Sequence, residues 1–332
     1  TCPLPLLNEW NTGNTPQMNM SCNFTNETGN TPLVTIYCTV LIIGVPANFL
    51  TLFLTMMQIK KKNVMAVYLF TLSVSDLLYM ATIPQWIRYV MNNHKWQDSE
   101  LACKITGFIF FNNLYVSILI LCCISVDRYV AVVYSLESRG QRRQKKAWAI
   151  CIITWLLVVI SHIPVFTLKE DNDKGSCFET FPMTNMVARL SCARFCIGFF
   201  IPLITLIATN IKMFLIVKAS GSLTDRQKSK VRFLTISVIA IFLFCFAPYH
   251  CLLLGRAAVS FLSYEVSCAF EKKIHFLSTV FICLCTVNSA INPILYVFTS
   301  ENCRHDLRRG SIPQYFAQHL ARWLTEIAVA RG

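Results

Sequence analysis

The chain has 332 residues, of which 55% are hydrophobic and only 14% are charged, and its mean hydropathy is +0.51. A typical soluble domain carries about 25% charged residues, so this composition excludes an ordinary soluble protein and favours a membrane protein. The formal net charge is +13. Because Lys and Arg concentrate in the predicted inner loops, this charge indicates membrane topology and attraction to anionic lipid rather than nucleic-acid binding.

Residues 1–31 form a polar N-terminal segment with three N-glycosylation sequons, at Asn19, Asn23 and Asn26. Since this modification belongs to secreted and extracellular regions, we expect the segment to lie outside the cell. It shows no apolar signal sequence, and the first helix is expected to serve as the targeting signal.

Seven apolar stretches long enough to cross a bilayer follow within residues 32–300. They are 34–57, 64–90, 103–133, 147–168, 190–217, 231–260 and 271–299. Buried helices of a large soluble protein would be shorter and would have a polar face. Lys and Arg are enriched in the loops that are inside if the N-terminus is outside. The sequence therefore predicts an all-α, seven-helix, multi-pass protein of the plasma membrane with an extracellular N-terminus.

Residues 301–332 are predicted to form a cytoplasmic tail. Apolar residues recur there at helical spacing, which favours a short amphipathic helix on the inner leaflet; they are Tyr315, Phe316, Leu320, Trp323, Leu324 and Ile327. A C-terminal extension after Gly310 that is unrelated to the rest of the chain is the alternative.

Polar side chains inside the apolar stretches are candidates for function, because they need partners in lipid. They are Asn48, Asp76, Ser117, Asn288, Ser289 and Asn292. Together they predict a hydrogen-bonded polar core, or a site in which Asp76 holds a hard cation such as Na⁺. The two interpretations are compatible, and apart from this possible ion no cofactor is expected.

Prolines interrupt most of the predicted helices; they are Pro46, Pro84, Pro164, Pro202, Pro248 and Pro293. Each removes one backbone hydrogen bond and permits a kink. Kinked helices around a polar centre can adopt two packings, as a conformational switch requires.

Four cysteines are expected on the outer face, where the environment is oxidising; they are Cys22, Cys103, Cys177 and Cys268. Four cysteines allow three connectivities. We favour Cys103–Cys177, which leaves Cys22–Cys268, but composition by itself does not choose among the three.

A set of motifs, about one per predicted helix, points to a family. In chain order they are Asn48, Leu72 with Asp76, Cys103, Asp127-Arg128-Tyr129, Trp155, Pro202, Phe246-Ala247-Pro248 and Asn292-Pro293-x-x-Tyr296. Each is weak alone, but the ordered set, over nearly the whole chain, resembles the rhodopsin-like (class A) G-protein-coupled receptors. Stretches such as 86–97 and 115–140 are further similar to the proton-sensing group, one member of which responds to oxidised fatty acids and related acyl lipids.

The resemblance implies a heterotrimeric G protein and arrestin as partners. It assigns the G-protein switch to Asp127, Arg128, Tyr129, Asn292, Pro293 and Tyr296. In the inactive state Asp127 holds Arg128, which is released towards Tyr296 on activation. The relay from the ligand to the sixth helix consists of Ile118, Pro202, Phe242 and Phe246, and the family's N-terminal tether implies Cys22–Cys268.

The inner end of the sixth helix departs from many relatives of this family. They have an acidic residue there that forms a second lock on the inactive state, whereas this stretch reads RQKSKVR, with Lys228 in place of the acid. We therefore expect appreciable basal signalling.

The family's amine receptors have an aspartate at the position of Phe110, so an amine ligand is not expected. The outer half of the helices instead offers an apolar slot, although ordinary helix packing accounts for some of its members: Trp86, Phe110, Phe111, Leu114, Tyr115, Tyr249, Phe281 and Ile282. His250 is expected to form a hydrogen bond within it. The nearby charges are mostly cationic: Arg88, Lys104, Arg189, Arg194, Arg256, Lys272 and Lys273.

Arg194 is the leading candidate because it lies about two turns from Pro202 in an otherwise neutral helix and can bind a carboxylate or phosphate bidentately. The alternative for this residue is snorkelling to the lipid headgroups. The pattern predicts an amphiphilic ligand with an anionic head: an oxidised fatty acid, an N-acyl amino acid or a lysophospholipid.

Proton sensing is the main alternative function, with His94, His162, His250 and His275 as candidates for titration. Against it, only Asp76 remains of the acidic cluster of the proton-sensing group, and Asn292 stands where that group often has Asp. A nucleotide or peptide receptor and a non-signalling ligand scavenger are further alternatives. An enzyme is not expected, because Asp76 has no companion acid or metal-binding set.

Overall fold

The computed structural model describes residues 30–133, 143–166, 177, 183–221 and 224–299. Seven helices in this part of the chain are long and apolar enough to cross a membrane, and no strand occurs in it. We label them α1 Asn30–Lys60, α2 Val64–Met91, α3 Glu100–Val133, α4 Gln144–His162, α5 Asn185–Ala219, α6 Asp225–Ser260 and α7 Tyr264–Thr299. The predicted all-α, seven-helix membrane protein is confirmed.

Local capping signals account for several helix starts. Asn63 precedes α2, and its side chain accepts a hydrogen bond from the backbone N–H of Met65 at 3.1 Å. Thr184 does the same for α5, accepting from the N–H of Val187 at 3.4 Å. Such caps satisfy backbone donors that a helix start leaves unpaired. Helix α6 begins at Asp225, earlier than the apolar stretch itself, with this acidic residue in its first turn.

Two of the seven helices are interrupted. A turn separates the segments Val64–Met80 and Ile83–Met91 of α2, and Pro84 lies at the start of the second. In α5, a π-helical segment, Arg194–Phe200, joins Asn185–Ala193 to Ile201–Ala219. Pro84 lies in the first turn of its segment, where no intrahelical N–H is lost, whereas Pro202 lies inside α5 directly after the π-helical segment, as expected. Pro164 belongs to a 3-10 turn after α4, whereas three others lie inside helices as expected: Pro46, Pro248 and Pro293.

The helices form one bundle in which α3 contacts four of the others. Helix α1 packs against α2 and α7, α3 contacts α2, α4, α5 and α6, and α6 packs against α5 and α7. In the most apolar 18-residue stretch of α3, 72% of the residues are buried, compared with 28% in the corresponding stretches of α1 and α4. Side chains of α3 therefore reach most of the bundle, while α1 and α4 present a broad apolar surface to lipid.

A disulfide joins Cys103, in the first turn of α3, to Cys177, with a Cα–Cα distance of 5.8 Å. This confirms the pairing that the sequence favoured. We call this end of the bundle the disulfide end, and the opposite end, where α3 finishes, the Arg128 end. Cys268 is also disulfide-bonded, but Cys22 lies outside the described residues, so the predicted Cys22–Cys268 bridge stays a prediction.

The three sequons and the whole tail also lie outside the described residues. The N-glycosylation of Asn19, Asn23 and Asn26 and the amphipathic helix within residues 301–332 therefore stay predictions.

Candidate functional site

The Arg128 end contains most of the residues of the predicted G-protein switch. Asp127, Arg128 and Tyr129 are half-buried near the C-terminal end of α3. Asn292 and Pro293 are buried in α7. The side chain of the remaining switch residue, Tyr296, lies outside the described part. The charged residues Asp127 and Arg128 thus lie near the end of α3, where a partner from solution can reach them.

Asp76 occupies the centre of the polar core and is 0% exposed. Asn113 Nδ2 donates a hydrogen bond to its Oδ1 at 2.9 Å, and Asn292 Nδ2 donates to its Oδ2 at 2.8 Å. Ser289 Oγ donates to Asn113 Oδ1 at 3.2 Å. Both carboxylate oxygens therefore have amide donors, and the network links α2, α3 and α7.

Further polar atoms surround this network. Asn48 Nδ2 donates to the backbone carbonyls of Gly44 at 2.9 Å and Ser289 at 2.8 Å, which connects α1 to α7. Ser117 Oγ, Asn288 Oδ1 and Asn292 Oδ1 are buried without a hydrogen-bond partner in the described structure. Such oxygens are the ligands that hard cations take, and the Asp76 carboxylate would balance a single positive charge. The residues fit a sodium ion, which stays a proposal.

Two of the predicted relay residues, Phe242 and Phe246, pack against each other on α6 and meet α5 through Phe199. Phe242 and Phe246 are fully buried with ring centroids 5.5 Å apart, and Phe199 of the π-helical segment stacks on Phe242 at 5.5 Å. Cys122, one turn beyond the buried Ile118, donates through Sγ to the Pro202 carbonyl at 3.4 Å. A displacement of the π-helical segment would therefore be transmitted directly to α6.

The aromatic residues of the predicted slot form a packed cluster near the disulfide end. Phe110 lies 5.6 Å from Trp86 and 5.3 Å from Phe111 between ring centroids. Leu114 is 2% exposed beside them, and the half-buried Ile282 packs against the same core. These slot residues therefore cluster, and much of their surface is used in packing against each other; their role in ligand binding stays a prediction.

Three of the seven cations that the sequence placed near the slot have acidic partners in the described structure. Arg88 pairs with Asp98 at 3.1 Å, and Lys104 pairs with Glu100 at 2.6 Å within α3. Arg256 Nε donates to both carboxylate oxygens of Glu271, at 3.0 and 2.9 Å, and Glu271 is only 4% exposed. These partners neutralise the three cations, so they are poorer anion sites than their number in the sequence suggested.

Arg194 differs from the other three. It is the first residue of the π-helical segment, is half-buried, and its guanidinium lies over the Phe111 ring at 5.1 Å from the centroid. It forms no salt bridge within the described structure. A π-helical turn changes the direction in which side chains project. Here the Arg194 guanidinium at the start of that turn contacts the face of the Phe111 ring, which belongs to the aromatic cluster.

Unpaired polar atoms surround Arg194. Tyr115 stacks on His162 at 5.2 Å and meets His250 edge to face at 5.8 Å, while His250 stacks on Phe199 at 4.6 Å. The Tyr115 hydroxyl and the Nε2 atoms of both histidines are buried without hydrogen-bond partners in the described structure. The positive charge of Arg194 acts electrostatically on Tyr115, Tyr249 and His162. The site can therefore bind an anion and donate or accept further hydrogen bonds.

Four residues of these networks were absent from the sequence-based site. Asn113 and Glu271 were signalled by their polarity within apolar stretches, and His162 was considered only as a proton acceptor. Gly198 had no signal: a Cβ atom there would overlap the Tyr115 ring, so glycine is what permits the close approach of α5 to α3.

Comparison with known proteins agrees with this architecture. Residues 47–296 match the family described as "7 transmembrane receptor (rhodopsin family)". The chain is 47% identical to "Probable G-protein coupled receptor 132" of Mus musculus over 87% of this chain and 76% of that protein. It is 33% identical to "G-protein coupled receptor 68" of Homo sapiens, over 87% and 79% respectively. It is 28% identical to "Lysophosphatidic acid receptor 6" of Mus musculus, over 82% of each.

These relatives bear out the resemblance to the proton-sensing group and to its G-two-accumulation receptor. Membership implies a receptor, not an enzyme, that spans the plasma membrane several times and couples to G proteins. The ordered motifs, the seven-helix bundle with its disulfide and the match over most of the chain agree: the chain belongs to the rhodopsin family of seven-transmembrane G-protein-coupled receptors.

Proposed function

We propose that this receptor binds an anionic acyl lipid at the disulfide end, with the acidic group on Arg194 and the acyl chain along the aromatic cluster. In this proposal the disulfide end faces the outside of the cell and the Arg128 end faces the G protein, with arrestin as a second cytoplasmic partner. The Lys and Arg bias of the loops supports this orientation.

The observation that carries the proposal is that Arg194 lies half-buried without an acidic partner among the described residues. An arginine in a membrane-spanning helix needs a counter-charge or access to water, yet this one has no acidic partner among the described residues and lies half-buried over Phe111. A carboxylate or phosphate would supply two charge-assisted hydrogen bonds. Snorkelling to the headgroups explains the residue less well, because the guanidinium is directed onto an aromatic ring inside the bundle.

The surroundings of Arg194 favour an amphiphile over a small anion. The aromatic cluster beside it offers an apolar surface, and the buried Tyr115 hydroxyl can bond to a polar group of the ligand. The name of one relative, "Lysophosphatidic acid receptor 6", identifies an anionic acyl lipid as the ligand of that protein. Oxidised fatty acids, N-acyl amino acids and lysophospholipids all have this combination of groups.

Proton sensing is the second candidate, and one contact favours it. The rings of His94 and His275 meet edge to face at 5.3 Å, joining the turn after α2 to α7 at the disulfide end. Protonation of both rings would place two positive charges close together and push these elements apart. His94→Gln with His275→Gln separates the candidates, because it should abolish a response to acid and leave a response to lipid unchanged.

We would measure G-protein dissociation in cells over a panel of acyl lipids, at about pH 6.5 and about pH 7.8. Loss of a charge-assisted pair costs about 1.5–3 kcal/mol, so Arg194→Gln should raise the half-maximal lipid concentration about 10- to 100-fold at both pH values. Arg88→Gln is the matched control, since Arg88 is already paired with Asp98. The methyl ester of an active lipid should be weak on the unsubstituted receptor.

Other outcomes would reject the proposal. A response to acid alone would make the chain a proton sensor, and an unchanged lipid response in Arg194→Gln at equal surface expression would remove this residue from the site. Activation by a nucleotide or peptide would identify a different ligand class. Lipid binding with no G-protein activation by any ligand would indicate a scavenger.

A further inference from the structure

A small basic site lies on the seam between α5 and α6 at the Arg128 end. It is a cavity of about 10 Å³. Its lining consists of Phe214, Val217, Lys218, Val231, Arg232 and Thr235. Such a volume accommodates one water-sized group. The cavity can therefore admit a single oxygen atom of a larger ligand that lies along the seam.

Thr235 shows that the site is incomplete without such a group. Its side chain is 6% exposed, and its Oγ1 has no hydrogen-bond partner in the described structure. Other buried threonines of the bundle, Thr51, Thr55 and Thr71, each donate to a backbone carbonyl one turn earlier. A buried hydroxyl without a partner costs about 1–3 kcal/mol, and an acceptor oxygen in the cavity would remove this cost.

Two cations flank the cavity, one from each helix. The Arg232 guanidinium lies over the Phe214 ring, 5.7 Å from its centroid, and Lys218 lies in the last turn of α5. Neither forms an ion pair with an acid of the described residues. Lys218 would also stabilise the negative end of the α5 dipole, but that role explains neither Arg232 nor Thr235. The three groups together suit an anion with several oxygens.

The neighbouring surface indicates that the anion belongs to a lipid. Next to the two cations, α5 exposes Ile211 and Leu215, and α6 exposes Phe233 and Ile236. Exposed apolar faces of membrane helices contact hydrocarbon. Lys218 and Arg232 thus lie at the border between hydrocarbon and headgroups, where basic side chains meet lipid phosphates.

We propose that this seam binds the phosphate group of an anionic phospholipid of the inner leaflet. Lys218 and Arg232 contact the phosphate oxygens, and the Thr235 hydroxyl donates to the oxygen that enters the cavity. Phosphoinositides, which carry additional phosphates, bind more tightly than phospholipids with one phosphate. This site is separate from the acyl-lipid site at Arg194, and its assignment to the inner leaflet rests on the proposed orientation of the bundle.

The test uses the full chain, purified and reconstituted in nanodiscs of phosphatidylcholine with a fluorescent phosphatidylinositol 4,5-bisphosphate. Lys218→Gln with Arg232→Gln is expected to weaken binding about 10-fold or more, since each cation near the surface contributes to binding. The charge-matched control is Lys212→Gln with Arg226→Gln, which removes two exposed cations that do not line the cavity; it should change binding less than about 2-fold. Thr235→Val, which keeps the shape, should weaken binding about 3-fold or more.

Three results would overturn the proposal. Equal losses in the two double variants would mean diffuse charge attraction without a site. Equal affinity for soluble inositol trisphosphate would mean recognition of free phosphate rather than lipid. Unchanged lipid binding, together with reduced G-protein activation in lipid-free detergent, would assign the seam to a G-protein contact. Acyl-lipid responses at Arg194 test the other proposal separately.

Discussion

The ion pair between Arg256 of α6 and Glu271 of α7 permits a quantitative test of how much a buried ion pair contributes to the stability of this bundle. The Nε atom lies 3.0 and 2.9 Å from the two carboxylate oxygens, and the side chains are 16% and 4% exposed. Glu271→Leu removes this partner from a guanidinium that remains largely enclosed. The substitution should therefore destabilise the contact between α6 and α7.

The magnitude follows from the burial of the pair. Removing one partner of a buried ion pair costs about 3–5 kcal/mol, because the other charge is left without compensation. Since Arg256 retains some access to solvent, we expect the lower end, about 3 kcal/mol. Arg256→Met combined with Glu271→Leu removes both charges and their desolvation cost. That double variant should therefore return to within about 1 kcal/mol of the unsubstituted protein.

Denaturation of the purified receptor, followed by tryptophan fluorescence, measures these differences. The matched control is Asp98→Ala, which breaks the Arg88–Asp98 pair, whose side chains are 57% and 35% exposed. Exposed pairs contribute about 0–1 kcal/mol, so this variant should be close to the unsubstituted protein. The expected order of stability places Glu271→Leu alone well below the other three proteins.

A double variant as unstable as Glu271→Leu would refute the reasoning, because the loss would then come from the shape of the carboxylate and not from an uncompensated charge. An unchanged stability of Glu271→Leu would show that water solvates Arg256 fully. A functional readout accompanies the test: Arg256→Met should affect lipid potency much less than Arg194→Gln, since Glu271 already neutralises Arg256.

Three further predictions concern signalling, the ligand site and the polar core. Lys228→Glu should lower the basal inositol phosphate or cAMP signal by restoring an acidic lock, whereas equal signals in cells with the unsubstituted receptor and mock-transfected cells would exclude basal activity. Gly198→Ala should weaken the acyl-lipid response about 10-fold or more by pushing Tyr115 out of place, and an unchanged dose–response curve would contradict this role. Asn113→Ala leaves Asp76 Oδ1 without its amide donor and should lower the free energy of unfolding by about 1–3 kcal/mol; no change in the denaturation midpoint would show that water replaces the amide.

The membrane architecture was predictable from the sequence. A helix that crosses hydrocarbon must satisfy its backbone internally and show an apolar surface over about 20 residues. Both requirements are local, so the stretch 103–133 became α3, Glu100–Val133, with a difference of a few residues. The largest difference occurs at the start of α7, at Tyr264 where the apolar stretch begins at residue 271, because the apolar signal ends where the chain leaves the hydrocarbon.

The structure shows where the residues of the family motifs lie, and the functional roles given to them stay predictions. The favoured bridge Cys103–Cys177 is present, and the relay residues Phe242 and Phe246 meet in the core. The polar core also forms around Asp76. Helix α3 contributes Asn113 to it, a residue that the sequence-based prediction did not include. The length of an apolar stretch does not fix the rotation of a helix about its axis. It therefore does not say which of the neighbouring Asn112 and Asn113, both buried, reaches Asp76.

The sequence by itself determined the number of spans, the residues able to cross lipid and the family, because these depend on local composition and on motifs in order. Only the tertiary structure decided which charges are available. The sequence favoured Arg194 over Arg256 because of its neutral helix, but it showed the pairing of neither. Packing of α6 on α7 gives Arg256 a buried carboxylate, while Arg194 in the π-helical segment of α5 lies over Phe111 with no acidic partner among the described residues. Charge pairing depends on distances of about 3–4 Å between helices, and these distances exist only after the bundle has formed.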